Sequence, residues 1–147
     1  MKRLSKNLET TRALAEAWLE SELFSRVNKQ KKATIVFLSG DLGSGKTTFV
    51  QMVAKILRVE KIVTSPTFIL RRDYPLADNR GRFKKLIHVD CYRLKGPKEL
   101  KTIGWAEILA DLANLIMMEW PERVGKLKSD FIINFKTIGE NEREIKF

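Results

Sequence analysis

A glycine-rich segment that ends in lysine and threonine constrains this chain more than any other feature. Residues 40–47 read Gly-Asp-Leu-Gly-Ser-Gly-Lys-Thr, which matches the pattern G-x-x-x-x-G-K-[ST]. Its three glycines allow the backbone to turn tightly and to direct amide hydrogens around phosphate groups. In this pattern the lysine bridges the β- and γ-phosphates of a nucleotide, and the last hydroxyl binds Mg²⁺. Lys46 and Thr47 are therefore predicted to contact ATP and magnesium, respectively.

The sequence on both sides of this phosphate-binding loop has the pattern that such a loop requires. Residues 33–38 (A-T-I-V-F-L) form a continuous apolar run, which predicts a strand buried on both faces of a parallel sheet. Residues 46–57 place Phe49, Val50 and Val53 at helical spacing, which predicts a helix whose positive N-terminal end faces the same phosphates. The order strand, loop, helix favours a nucleotide site over a structural glycine turn.

The rest of the chain alternates between extended and helical patterns. The predicted helices span about residues 9–29, with Ser5 or Asn7 as the cap, a short segment from Pro97, and residues 105–112. The predicted extended segments are residues 62–73, 85–92 and 115–120, with a turn at 78–81 and a hairpin of residues 130–137 and 143–147. This alternation predicts an α/β fold, a three-layer P-loop NTPase-like sandwich around a mainly parallel sheet with antiparallel additions. No linker or repeat divides residues 1–147, so they are expected to form a single domain.

Two acidic residues directly follow apolar runs that are predicted to be strands. Asp90 ends the run at residues 86–89, and Glu119 ends the run at residues 115–118. The carboxyl ends of parallel strands meet at one edge of a sheet, so both acids are expected near the phosphate-binding loop. Either acid could bind Mg²⁺ or orient an attacking water, and the pattern alone does not choose between them.

Two weaker signals concern a hydroxyl-rich segment and the tryptophans. Residues 64–67 read Thr-Ser-Pro-Thr, which is similar to switch segments that fold over a γ-phosphate, although Ser-Pro also marks ordinary turns. Trp18, Trp105 and Trp120 are interpreted as core or interface residues rather than as clamps for a cofactor.

Charge and composition limit the remaining possibilities. The formal net charge is +10, and eight basic residues lie between Arg80 and Lys101. This basic segment (residues 80–101) could contact RNA or an acidic protein surface, or it could be a solvated face. No apolar run approaches the roughly 18 residues that cross a membrane. Lys2 and Arg3 are not followed by the apolar core of an export signal, so a cytoplasmic chain without a membrane partner is expected.

Cys91 and His88 are the only cysteine and the only histidine. A disulfide within the chain and a zinc site of Cys and His ligands are therefore excluded. A thiol nucleophile activated by histidine is disfavoured, because the two residues lie three apart on a predicted strand and point to opposite faces.

Several motifs occur together in a specific order. Besides residues 40–49 (G-D-L-G-S-G-K-T-T-F), the chain contains Ser65-Pro66-Thr67-Phe68, His88-Val89-Asp90-Cys91-Tyr92-Arg93-Leu94 and Glu119-Trp120-Pro121-Glu122. Glu9-Thr10-Thr11 ahead of Leu14-Ala15, and Gly104 with Glu107, complete the set. With these motifs, which run through nearly the whole chain, the sequence resembles the TsaE/YjeE-type P-loop family of tRNA threonylcarbamoyladenosine biosynthesis ATPases. Many ATPases share the loop, whereas the other motifs are far more specific.

The resemblance implies a Mg²⁺-dependent ATPase that assists threonylcarbamoyladenosine (t6A) modification of tRNA. Its partners would be the tRNA threonylcarbamoyl transferase subunit and the paralogous scaffold protein, and contact with tRNA would be indirect. By the same resemblance, the nucleotide would contact Gly43, Ser44, Gly45, Lys46, Thr47, Thr48, Thr10 or Thr11, and Arg143. Mg²⁺ would be held by Thr47 and Glu119. The catalytic residues would be Asp90, Lys46 and Glu119, and Asp90 would position the water. Residues 64–67 would be the switch segment.

Two other functions stay open at the level of sequence. A P-loop small-molecule kinase uses the same loop for phosphoryl transfer to a hydroxyl, although a chain of this length has little room for a lid. An ATP-gated RNA-binding module would bind tRNA tightly at low salt and lose that binding when Arg82, Lys84 and Lys85 are neutralised. Hydrolysis could also be weak without partners, because P-loop switches often have their sites completed by another protein.

Overall fold

A single sheet organises the chain. A computed structural model describes residues 1–26, 30–77 and 81–147. Its strands are β1 (Lys2–Ser5), β2 (Thr34–Gly40), β3 (Arg71–Pro75), β4 (Lys85–Asp90), β5 (Asn114–Glu119), β6 (Phe131–Thr137) and β7 (Arg143–Lys146). Within these ranges they form one seven-stranded sheet in the order β1-β7-β6-β2-β5-β4-β3.

The centre of the sheet is parallel and its two edges are antiparallel. Parallel pairings join β6 to β2, β2 to β5, and β5 to β4, and they place Glu119 opposite both Leu38 and Asp90. Antiparallel pairings add β3 at one edge and the β6–β7 hairpin with β1 at the other. The predicted α/β fold is confirmed. The carboxyl ends of β2, β4 and β5 therefore meet where the phosphate-binding loop begins.

The first helix begins at Leu8, close to its predicted start. Asn7 is the N-cap, because its side-chain oxygen accepts a hydrogen bond from the amide of Thr10 at 2.8 Å. The helix comprises α1 (Leu8–Trp18), a π-helical segment (Leu19–Leu23) and α2 (Phe24–Arg26). The prediction for residues 9–29 is thus confirmed as far as Arg26, and residues 27–29 lie outside the described ranges.

Helices cover both faces of the sheet and complete three layers. α1 and α3 (Lys46–Ile56) pack on one face over a core that contains Trp18, Phe49 and Met117. The other face buries Ile35 and Ile87 with residues of a 3-10 helix (Pro97–Ile103) and of α4 (Trp105–Ala110). Successive residues of β2 enter opposite cores, which explains its continuous apolar run. No helix in the described part of the chain has the length and apolar character needed to span a membrane.

Two segments differ from the predictions. β1 is absent from the sequence-based assignment because K-R-L-S carries no strand pattern; pairing with β7, more than 100 residues away, creates it. An extended segment is predicted over residues 62–73, but the amides of Ile69 and Leu70 bond back to the carbonyl oxygen of Pro66. The proline thus starts a turn, and only Arg71 onward forms strand. Most of the predicted turn at residues 78–81 lies outside the described ranges.

Candidate functional site

A cavity of about 600 Å³ opens at the edge of the sheet where β2, β4 and β5 end. Its lining contains the residues that the sequence assigns to the site, namely residues 43–48, Thr11, Asp90, Glu119 and Arg143. Ser65 and Thr67 of the predicted switch segment (residues 64–67) also line it. The fold therefore brings together in one cavity predicted site residues that are as distant in the sequence as Thr11 and Arg143.

Glycines shape the phosphate-binding loop. Gly43 and Gly45 have φ angles of 74° and 102°, which residues with a side chain rarely adopt, and α3 begins directly after Gly45. Gly40 is limited by space as well, because a Cβ at this position would lie 2.5 Å from the carbonyl oxygen of Phe135. A tight turn that leads into a helix N-terminus is a general arrangement for binding anions.

The ammonium of Lys46 lies inside the loop. It donates hydrogen bonds to the carbonyl oxygens of Gly40 and of Asp41, the latter at 2.8 Å, and lies 4.2 Å from the ring centroid of Trp120. The residue is 5% exposed. Burial lowers the pKa of Lys46 from its ordinary value, and the neighbouring acids, Glu119 foremost, oppose that shift. Neutral carbonyls thus hold a buried cation, which could form stronger hydrogen bonds with an anionic ligand.

Thr47 and Glu119 are in direct contact. The hydroxyl of Thr47 donates to Oε1 of Glu119 at 2.7 Å, and Nε2 of His88 lies 2.9 Å from the same oxygen. Glu119 is 3% exposed; its contact with His88 is buried, whereas its contact with Thr47 is partly buried and borders the cavity. The side chain at the end of β5 is therefore directed at the first turn of α3.

The residues present at this position fit Mg²⁺. A hydroxyl oxygen and a carboxylate oxygen adjoin a loop shaped for phosphates, and Mg²⁺ prefers such oxygen ligands together with phosphate oxygens and water. In the ranges that the structure describes, no three His, Cys, Asp or Glu side chains form a metal-binding group by themselves. The donor set thus suits an ion that takes few ligands from the protein.

Asp90 is directed toward the switch segment. Its Oδ2 accepts a hydrogen bond from the hydroxyl of Thr67 at 2.7 Å, and its Oδ1 accepts one from the amide of Tyr92 at 2.9 Å. The hydroxyls of Ser65 and Thr67 lie 2.7 Å apart, so the contact extends along the segment. The two acids, which the sequence pattern could not distinguish, have different surroundings: Glu119 contacts the loop helix and Asp90 contacts the switch segment.

Residues near the two ends of the chain border the cavity. The hydroxyl of Thr11 lies 2.7 Å from that of Ser5 on β1, whereas the amide and the hydroxyl of Thr10 both donate to the capping side chain of Asn7. Of the two threonines that the resemblance leaves open, Thr11 lines the cavity and Thr10 does not. Arg143 donates to the carbonyl oxygen of Gly43 at 3.3 Å and, within its own hairpin, to that of Gly139 at 3.0 Å.

Sequence reasoning missed other residues of the cavity. Trp120, which the sequence assigns to packing, also lies over Lys46, and its ring is 5.0 Å from that of Tyr92. Its φ of 55° is unusual for a bulky residue. Trp120 stands between the strand-end acid Glu119 and Pro121, so the chain must leave the sheet at this residue. This position was the sequence signal that could have indicated a place for Trp120 in the site. Ser5 gave no signal, since its strand forms only by pairing with β7.

Cys91 is buried and does not line the cavity. The side chain is completely buried, and burial raises the pKa of its thiol to about 12. A thiol with this pKa stays protonated at neutral pH, and the thiolate is the nucleophilic form. Burial and the raised pKa are thus further arguments against a thiol nucleophile.

The basic segment is partly engaged within the chain. Arg82 donates to the carbonyl oxygens of Gln30 and Lys32, each at 2.8 Å, and to the hydroxyl of Thr34 at 2.7 Å. Lys85 lies 3.8 Å from a carboxylate oxygen of Asp73. Arg80 lies outside the described ranges. At least Arg82 is therefore a structural cation rather than a free charge on the surface.

The architecture and the loop together define the class of protein. A parallel strand that leads through a G-x-x-x-x-G-K-T loop into a helix, within an α/β sandwich, characterises the P-loop proteins. The model of the family described as "Threonylcarbamoyl adenosine biosynthesis protein TsaE" matches residues 5–145. The chain therefore belongs to the TsaE family, which takes part in threonylcarbamoyladenosine biosynthesis, and the resemblance seen in the sequence is confirmed.

Individual relatives agree with this assignment. The tRNA threonylcarbamoyladenosine biosynthesis protein TsaE of Rickettsia felis is 35% identical over 140 residues, which are 93% of this chain and 73% of that protein. The proteins of the same name from Aquifex aeolicus and Streptomyces coelicolor are 34% and 39% identical, over 79% and 74% of this chain and 77% and 72% of their own lengths. The crystal structure of YdiB from Bacillus subtilis superposes with a TM-score of 0.64 at 29% identity, covering 99% of this chain and 82% of YdiB.

Proposed function

We propose that this protein is a Mg²⁺-dependent ATPase, formed by a single domain, that assists t6A modification of tRNA through a transferase complex. The observation that carries the proposal is the convergence of Lys46, Thr47, Glu119 and Asp90 on one cavity. A cation on the phosphates, a metal-binding hydroxyl and acid, and a second acid for the water are what P-loop hydrolysis needs. Membership of the TsaE family supplies the process in which this activity would be used.

The phosphate-binding loop and Lys46 would bind the triphosphate. Residues 43–48 border the cavity at the start of α3, where the helix dipole favours negative charge. Lys46 would exchange the carbonyl oxygens of Gly40 and Asp41 for phosphate oxygens, a favourable exchange because hydrogen bonds between opposite charges are stronger. Thr11 and Arg143 line the cavity beside the loop and would contact the rest of the nucleotide.

Thr47 and Glu119 would hold the metal. Bound Mg²⁺ neutralises charge on the β- and γ-phosphate oxygens. The hydroxyl of Thr47 can offer a lone pair to a metal while it still donates its hydrogen to Glu119, because a hydroxyl is both donor and acceptor. The contact that the structure shows is therefore compatible with the proposed ligand set.

Asp90 would orient the attacking water. Its Oδ2 accepts a hydrogen from Thr67, so a movement of the switch segment would free that oxygen to accept a hydrogen from water. Oδ1 would stay fixed by the amide of Tyr92, which keeps the carboxylate in place. The state of the switch segment would thus determine whether Asp90 can act.

The proposed partners are the tRNA threonylcarbamoyl transferase subunit and its paralogous scaffold protein. Hydrolysis would drive turnover of their complex in the cytoplasm rather than supply the transferred group, and it would be weak for the isolated chain. Contact with tRNA would be indirect. The internal engagement of Arg82 supports this last point, because it removes one cation from the basic segment.

The test is ATP hydrolysis by the purified chain, alone and with the two partner proteins, over a range of Mg²⁺ concentrations. We expect Mg²⁺-dependent hydrolysis that the partners stimulate, and t6A formation by the complex that stops when Glu119 is changed to Gln. Glu16→Gln, at an exposed position of α1, is the matched control and should change neither. Recovery of both partners in a pull-down would support the biological role.

Other outcomes would identify the alternatives. A phosphorylated small-molecule acceptor formed in proportion to ATP consumed would indicate a kinase. Tight tRNA binding by the isolated chain, weakened by salt and by neutralisation of Lys84, would indicate an RNA-binding module. Either result would contradict the proposal.

A further inference from the structure

His88 is buried in the sheet next to the candidate site. It lies on β4 two residues before Asp90, so both side chains project from the same face of the strand. Leu86, on that face as well, belongs to the core beneath α1 and α3. His88 is 0% exposed and is the only histidine of the chain. The imidazole therefore lies within the layer that supports the phosphate-binding loop.

The imidazole contacts the acid that we propose as the metal ligand. Nε2 of His88 lies 2.9 Å from Oε1 of Glu119 on the adjacent strand. A carboxylate oxygen only accepts hydrogen bonds, so Nε2 carries the hydrogen and donates it. The same oxygen accepts the hydroxyl hydrogen of Thr47 at 2.7 Å. One oxygen of Glu119 is thus fixed by two donors that come from β4 and α3.

The second ring nitrogen has no comparable contact. Nδ1 of His88 is buried and has no hydrogen-bond partner among the described residues. An unpartnered buried nitrogen is unfavourable, and an apolar residue of similar size would avoid it. Packing alone therefore does not account for a histidine here, whereas the contact with Glu119 does.

We infer that His88 is a positioning residue, whose Nε2–H keeps the carboxylate of Glu119 directed at Thr47 and the phosphate-binding loop. The inference rests on the proposed function, because the task that it assigns to Glu119 is binding of Mg²⁺. Without the second donor the glutamate side chain could adopt other rotamers, and metal binding would have to restrict them. With His88 in place, folding has already restricted them. Asp90 is independent of this contact, since Thr67 and the amide of Tyr92 orient it.

Three variants separate hydrogen-bond donation from packing. His88→Gln keeps an N–H donor at nearly the reach of Nε2, and His88→Leu replaces it with an apolar side chain that has no donor. Met117→Ala is the packing control, because Met117 lies opposite His88 in the register, is completely buried and carries no donor. Calorimetry measures ATP binding in EDTA and at increasing Mg²⁺ concentrations, so the readout is metal dependence rather than turnover.

We expect His88→Leu to raise the Mg²⁺ concentration for half-maximal enhancement of ATP binding by about tenfold or more, the size of effect seen when a group that orients a metal ligand is lost. Binding in EDTA should stay at the level of the unaltered chain. His88→Gln should restore most of the Mg²⁺ dependence. Met117→Ala should lower the midpoint of thermal unfolding and leave the Mg²⁺ dependence unchanged.

An unaltered Mg²⁺ dependence in His88→Leu would overturn the inference, and so would an equal loss in Met117→Ala. If His88→Leu does not fold, His88→Asn replaces it, because the amide of Asn is too short to reach Oε1 as the amide of Gln does. An equal Mg²⁺ dependence of ATP binding in His88→Asn and His88→Gln would then overturn the inference. A native chain whose ATP binding ignores Mg²⁺ would overturn the proposed metal site, and the inference with it. The native chain thus tests the proposed function, and the variants test His88.

Discussion

The two ends of the parallel strands use polar side chains differently. At the amino end, Asp130 accepts hydrogen bonds from the amide of Ile35 at 2.8 Å and from the side chain of Gln30 at 2.6 Å. At the carboxyl end, Glu119 and Asp90 are almost completely buried. Apart from one backbone amide, their partners are side chains, mainly hydroxyls. Hydroxyls can exchange partners by rotation, whereas backbone amides have fixed directions.

This difference distinguishes a structural network from a candidate functional one. The amino end joins β2 to β6 through contacts whose loss would affect the fold, and Arg82 adds contacts with residues 30–34. The carboxyl end buries a lysine and two acids beside a cavity, an arrangement that costs free energy of folding and is typical of functional sites. Substitutions at the amino end should therefore change the free energy of unfolding, and those at the carboxyl end should change ATP binding or hydrolysis. The following predictions test that difference.

The largest effect is expected for Lys46→Ala. A hydrogen bond between charged groups contributes about 1.5–3 kcal/mol, so the affinity for Mg·ATP should fall roughly 10- to 100-fold. Hydrolysis should fall by about 10²- to 10³-fold, because the lysine also stabilises the charge that develops on the phosphate. Calorimetry and a phosphate-release assay measure the two quantities.

Lys55→Ala is the matched control for Lys46, since Lys55 lies on the same helix and is exposed. It should change neither affinity nor hydrolysis. Binding of Mg·ATP by Lys46→Ala at the level of the unaltered chain would show that the loop does not bind the phosphates, and the proposed difference between the two ends would disappear.

Asp90→Asn should separate hydrolysis from binding. The substitution keeps the size of the side chain and an oxygen for the amide of Tyr92, but removes the carboxylate that would orient the water. We expect hydrolysis to fall about 100-fold or more while Mg·ATP binding stays at its original level. Normal turnover by this variant would remove Asp90 from the catalytic set and leave Glu119 as the single acid with a proposed role.

Asp130→Ala should have the converse effect. It removes two hydrogen bonds to a carboxylate at the amino end, for a loss of about 1–3 kcal/mol in the free energy of unfolding. In a chain of this size each kcal/mol lowers the thermal midpoint by about 2–4 °C, which calorimetry detects. Hydrolysis per folded molecule should not change. Ser129→Ala, at the preceding position, is the control; lost activity in folded Asp130→Ala would show that the two ends are coupled.

The sequence predicts the parts of the site that are encoded locally. The glycines, Lys46 and Thr47 form one continuous segment between a strand and a helix, and the chemistry of each residue follows from its place in that pattern. Asp90 and Glu119 were also detectable, because an acid directly after an apolar run marks a strand end. The fold class followed from the alternation of strands and helices.

The strand-end pattern alone could not predict the contacts between these parts, although the family resemblance paired Glu119 with Thr47. Whether Asp90 or Glu119 adjoins Thr47 depends on the strand order, in which β5 lies between β2 and β4 and brings Glu119 next to the loop. The contact of His88 with Glu119 depends on the same order and on the register of β4 with β5. Such information resides in long-range packing rather than in any local pattern.

Arg143 is the residue for which the difference between the two ends of the strands is least clear. It lies at the carboxyl end, yet it donates hydrogen bonds to carbonyl oxygens as Arg82 does at the amino end. Its contact with Gly43 joins the final hairpin to the phosphate-binding loop. Arg143→Ala should lower ATP affinity by roughly 2- to 10-fold, the effect of about 0.5–1.5 kcal/mol from one hydrogen bond.

Arg143→Lys decides how Arg143 acts. Lysine keeps the charge but lacks the planar guanidinium that reaches several carbonyl oxygens at once. If Arg143 contributes charge to a bound nucleotide, Lys should restore the affinity that Ala loses. If it stabilises the loop through Gly43 and Gly139, Lys and Ala should be equally weak, and both should lower the thermal midpoint. A loss of stability with unchanged affinity would place Arg143 with Arg82 among the structural cations, and the functional region would then end at the loop itself.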